Sequence, residues 1–90
     1  MTCLEILDSV NAAPFGERAG VADMLYELGM MYSVGRDVPI DLVSAHKWFN
    51  LAAMHGDQQA SALRSEIAGE LSQSEIAVAQ RAARDWIASQ

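Results

Sequence analysis

Residues Leu28 to Ala60 read LGMMYSVGRDVPIDLVSAHKWFNLAAMHGDQQA, and their meaning turns on Gly29. This glycine sits inside a run that otherwise has the period of an amphipathic helix, where it costs about 1 kcal/mol relative to alanine. Its presence predicts that something approaches the helix backbone closely. The surrounding helix is expected over about Glu17 to Val34, with Val21, Leu25, Leu28 and Tyr32 on its apolar stripe. Gly35 ends it, and the turn GRDVP follows, since Pro39 cannot continue a helix.

Working outward, Asp41 opens the next helix as a cap. Leu42, Ala45, Phe49 and Ala52 face one way there, with Trp48 beside them, and His55-Gly56 closes the segment with glycine as a left-handed cap. Asp57 starts a further helix striped by Ala60, Leu63, Ile67 and Leu71. Ser72 to Glu75 has the S-x-x-E form of a capping box before a last helix carrying Ile76, Ala79, Ala83 and Ile87. Upstream, Leu4, Leu7 and Val10 predict a brief first helix ending before Pro14. No segment alternates like a strand. The chain therefore reads all-α, with about four to five helices whose short connections predict antiparallel neighbours.

Composition narrows the class. Ninety residues, just over half of them apolar, make one small domain with a single modest core. The net charge is −6 and the six basic residues are dispersed, which argues against nucleic-acid binding. The start MTCLEILDSV lacks a basic leader, and no apolar run is long enough to span a bilayer, so a cytoplasmic home without membrane contact is expected. Cys3 is the single cysteine and has no partner for an internal disulfide.

A shift of 38 residues superposes Ala22 on Ala60, Leu25 on Leu63, Ala45 on Ala83, Trp48 on Trp86 and Phe49 on Ile87. All are apolar or small and belong to helix-facing positions, which reads as an internal repeat with a decayed second copy. Leu28-Gly29-x-x-Tyr32-x-x-Gly35, then Val38, then Asp41-x-x-x-Ala45-x-x-Trp48-Phe49-x-x-Ala52-Ala53-x-x-Gly56-x-x-x-Ala60 resembles a Sel-one-like repeat, a tetratricopeptide-like helical hairpin. One element departs: Asp37 stands where that family has a second turn glycine, and aspartate is among the few other residues that tolerate a left-handed backbone.

The resemblance implies an antiparallel helix-turn-helix architecture, a short α-solenoid. Residues 1–16 would form a leading helix, 17–56 the repeat hairpin, and 57–90 a decayed repeat with a closing helix like the end cap of bacterial members. In such a hairpin Gly29 and Ala45 would make room for the rings of Tyr32, Trp48 and Phe49, and Ala52 and Ala53 would do the same for the next helix. About three repeats are needed for an independent solenoid, so the flanks would act as caps, or a homodimer would cover the remaining apolar face.

The resemblance also implies a job: a non-catalytic scaffold or adaptor that binds another protein through a helical groove. In tetratricopeptide-like proteins the exposed stripe of the first repeat helix lines that groove. Here it corresponds to Asp23, Tyr26, Glu27, Met30, Ser33 and Val34, on the face opposite Gly29. Tyr26 and Met30 would be apolar anchors, and the acids would select basic character in the partner. A small homodimeric inhibitor or assembly subunit acting through its outer face is the alternative. Hydrolytic activity credited to some secreted members goes with a disulfide-rich build that one cysteine cannot supply.

Nothing in the residues points to chemistry or to a cofactor. His46 and His55 are about half a turn out of phase and read as surface or cap histidines rather than metal ligands. Asp23/Glu27 and Glu66/Glu70 stack carboxylates along helix faces and read as solvated acidic surface. Of the methionines near the motif, Met24 and Met31 are expected to pack near the core stripe, while Met30 lies on the groove stripe and Met54 beside the motif.

Overall fold

A computed structural model describes residues 13–90, with side chains from Gly20 onward. The expected leading helix over Leu4, Leu7 and Val10, and Cys3, lie outside the described residues. Among those described the fold is all-helical: α1 spans Ala13–Val34, α2 Leu42–Met54, α3 Gln58–Ala68 and α4 Gln73–Ala88. Helix α1 begins four residues earlier than expected and takes Pro14 into its first turn. Proline belongs there without cost, because the first-turn N–H groups have no partner within the helix.

The helix ends follow the local chemistry. Asp41 caps α2 by accepting from the Ser44 N–H at 3.1 Å, and Asp57 caps α3 by accepting from the Ala60 N–H at 3.0 Å. At α4, Ser72 and Glu75 form a reciprocal capping box, with bonds of 3.1 and 2.8 Å. In the α1–α2 turn Asp37 adopts a φ of 65°, so it does take the left-handed place expected of it. Gly56, at φ 98°, turns the chain after the α2 cap residue His55.

Helix α2 is the hub, for α1, α3 and α4 all pack on it. Its contacts with α1 run antiparallel: Asp41 N–H bonds the Tyr32 carbonyl at 2.9 Å, and Phe49 meets α1 further back, at Gly29. A Cβ at Gly29 would lie 2.6 Å from two carbons of the Phe49 ring, so the glycine is the recess that receives that ring. Phe49, Leu25, Ala45, Leu51, Ala52 and Ala60 are fully buried in the core cluster to which this contact belongs. Full burial of one such large side chain contributes roughly 1.5–3 kcal/mol, more than the glycine's propensity cost.

Several expected positions fall elsewhere. Only Phe49 occupies the recess, because Trp48 points to the other side of α2 and meets Trp86 edge-on at 5.9 Å. The two residues matched by the 38-residue shift thus touch in space. Their neighbours diverge, for Phe49 is fully buried whereas Ile87 is 42% exposed, Trp86 having taken the inward position on α4. Val21 and Met24 are also exposed rather than packed in the stripe. Helices α3 and α4, although consecutive, lack the close backbone approach each makes to α2.

Two glycines of α1 make opposite predictions. A Cβ at Gly20 would meet nothing within 4 Å, so Gly20→Ala should raise the melting temperature by the few degrees that a gain of about 1 kcal/mol brings. Gly29→Ala should lower it despite the same propensity gain, and Gly29→Leu should lower it further, since overpacking costs about 1–3 kcal/mol or more. Thermal melts of the three variants decide. A Gly29→Leu protein that melts like the parent would refute the close-packing account.

Candidate functional site

The expected groove residues occupy successive turns of α1, but they do not form one exposed stripe. Asp23 and Val34 are exposed at the two ends. Tyr26 is half-buried, its ring tilted 60° against Phe49 with centroids 5.7 Å apart. Met30 is also half-buried and packs on the core cluster. These two therefore flank the Gly29 face instead of lying opposite it. The physical reason is the width of the Phe49 ring, which touches both the glycine and the residue one turn before it. Ser33 donates its hydroxyl to the Met30 carbonyl at 3.1 Å, folding its polar group back onto the helix.

Glu27 serves the turn rather than a face shared with Tyr26. Its carboxylate pairs with Arg36 at 3.0 Å, and both side chains are more than half exposed. Such a pair contributes little stability, from about 0 to 1 kcal/mol, but it orients the GRDVP segment beside α1. The motif's Tyr32 lies at the turn end as well, where its carbonyl accepts from the Asp41 N–H. It lines an open cleft of about 490 Å³ with Pro39, Ile40, Leu71 and the acidic residues Asp41, Glu70 and Glu75. Asp41 and Glu75 are already committed to helix caps there.

A second polar locus, between α2 and α3, escaped the sequence reading. Arg64 on α3 donates from Nη1 to the Asn50 side-chain oxygen at 2.8 Å and from Nη2 to the Ser61 hydroxyl at 3.3 Å. Neither partner is charged. His46, one turn before Asn50 on α2, is not at the surface as expected but only 3% exposed. Its Nδ1 has no hydrogen-bond partner. Burial holds the His46 pKa below its ordinary value of 6.5, and the Arg64 charge lowers it further. A signal existed, since His46 precedes Phe49 by three residues and so shares its side of the helix. Polarity outweighed position in the reading.

These arrangements contain no nucleophile–base pair, and among the described residues no group of three or more His, Cys, Asp or Glu side chains could hold a metal. No described helix is long and apolar enough to cross a membrane. No family model, curated protein or solved structure matches the chain.

The histidine sets a pH dependence with a definite sign. Above about pH 6.5 it is neutral folded and unfolded and contributes no slope. As pH falls through that value the unfolded chain takes up the proton first, so unfolding is favoured. In the folded state the same proton would leave a buried N–H without an acceptor beside Arg64. The unfolding free energy from urea titrations should therefore drop between about pH 7 and pH 5, by at most about 1.4 kcal/mol per pH unit for one proton, and drop less in His46→Gln. Identical pH slopes for the two proteins would show that His46 is not the group responsible.

Proposed function

We propose that the chain is a non-catalytic protein–protein interaction module of the Sel-one-like repeat kind, a small cytoplasmic scaffold or adaptor that engages a protein segment along α1. The observation that carries this reading is the state of Tyr26 and Met30. Each is held against the core on one side and open to solvent on the other. An aromatic ring already immobilised by Phe49 loses little freedom when a partner covers its remaining surface, which is the property of a binding anchor. The motif spacing, the left-handed turn at Asp37 and the Gly29–Phe49 contact support the hairpin assignment behind it.

The flanking exposed residues would read the partner. Asp23 adds negative charge next to the anchors on a protein of net charge −6, which favours basic character opposite them. Truncating Tyr26 or Met30 would disturb the core as well as the surface, so the discriminating variant is Asp23→Lys/Val34→Lys. It should keep the parent's melt, because both side chains are exposed, yet lose the partner recovered from the native cell by affinity capture. Recovery of the same protein by parent and variant would reject α1 as the binding element.

A specific observation favours a second reading, the homodimer. Val21, Met24, Leu28 and Met31 are spaced three, four and three residues apart along α1. Val21 and Met24 are 42% and 51% exposed, and the other two are half-buried. That is the spacing of a seam between paired helices. Sedimentation would then give a dimer that Met24→Glu dissociates; a monomer at all concentrations would dismiss this reading.

A further inference from the structure

Arg64 is placed as a receptor rather than as a surface charge. It lines a cleft of about 360 Å³ together with Ala53, Met54, Asp57, Gln58 and Ser61, where α2 gives way to α3. Its guanidinium is fixed by Asn50 and Ser61, which supply acceptors but no negative charge. No carboxylate among the described residues pairs with it. A half-buried cation held this way is already oriented, so a carboxylate gains the contact without having to order the side chain. His46, whose Nδ1 has no hydrogen-bond partner, is only 3% exposed and does not line the cleft, but the Arg64 charge reaches it and lowers its pKa.

We propose that the cleft between the end of α2 and the start of α3 binds the side-chain carboxylate of an acidic partner segment, with Arg64 as its receptor. The chemistry of the walls selects the occupant. One guanidinium matches one carboxylate, and Asp57, which lines the same cleft and caps α3, opposes a dianionic phosphate about twice as strongly as a singly charged carboxylate. Ala53 and the 59%-exposed Met54 offer apolar surface beside the charge, so the residues flanking the acid should be apolar. The inference rests on reading the chain as an interaction module, but its site is distinct from the α1 anchors.

The test uses the whole protein and the blocked peptide acetyl-Leu-Glu-Leu-amide, followed by NMR at the Arg64 side-chain N–H signals and at the His46 ring. The expected result is binding about tenfold tighter than that of acetyl-Leu-Gln-Leu-amide. The His46 pKa should rise on saturation, because the bound carboxylate offsets the Arg64 charge that lowers it. Arg64→Gln should abolish the preference. Arg64→Lys retains the charge without the planar fork and should weaken it, which keeps the test open if the glutamine variant folds poorly. Val34→Gln, a neutral change at an exposed position of α1, should leave peptide binding unchanged, separating this site from the α1 reading. Equal binding of the two peptides, or of neither, overturns the site. Stronger binding of acetyl-Leu-Gln-Leu as the free acid, or of inorganic phosphate, overturns the side-chain carboxylate as its ligand.

Discussion

The Phe49 ring lying on the bare backbone of Gly29 is the contact from which the other packing relations follow. It fixes how close α1 comes to α2 and leaves no solvent at the junction, for Phe49 is completely buried. With that side chain oriented, its sequence neighbours have nowhere else to go. At about 100° per residue, three consecutive helical side chains splay round most of the cylinder. Trp48 reaches Trp86 on α4, Phe49 reaches α1, and Asn50 reaches Arg64 on α3. One tripeptide therefore addresses all three partner helices.

A helix used on this many sides must bury small or apolar residues on more than one of them, and α2 does. Ala45 and Ala52 let its neighbours approach, while Leu51 is buried away from the Phe49 side. The same demand explains the buried histidine. On a helix with one wet face His46 would sit at an edge, but on a hub it is enclosed, and its polarity becomes a cost expressed at low pH. Arg64 avoids that cost because Asn50 and Ser61 accept from two of its five N–H groups and the open cleft leaves the rest of the guanidinium partly wet. The two cationic-capable groups thus differ in kind: one is closed off, the other is presented.

Where chemistry is local, the sequence was legible. Asp41, Asp57 and the Ser72–Glu75 box act within one helical turn, and each caps as its residue type predicts. Asp37 and Gly56 answer to backbone sterics alone. Gly29 was readable as a close approach, though not which ring makes it. The places of Tyr26 and Met30 differ from expectation because a periodic stripe has no width. Tyr26 and Met30 were set on the opposite face by counting turns, but a broad ring across the interface enlarges the inward face until it includes them. Val21 and Ile87 fell on the stripe by the same count, yet they lie beyond the reach of α2 and stay exposed. Arg64 and Asn50 were invisible because their pairing depends on the angle between two helices.

That distinction bears on what an acidic protein can bind. A net charge of −6 repels an acidic segment at long range, while Arg64 attracts it at contact. The two effects operate at different distances: at physiological salt the screening length is about 8 Å, so the overall charge is felt mainly during approach. Within the cleft, partial desolvation strengthens the short-range pairing. Under the proposed binding, global charge would govern how fast a partner arrives and the local cation which side chain is held, so basic and acidic parts of one partner would not be in conflict. Basic residues would favour the approach and lie near Asp23, and an acid would seat at Arg64. A partner segment of mixed charge fits both surfaces, and a uniformly charged one fits only half of them.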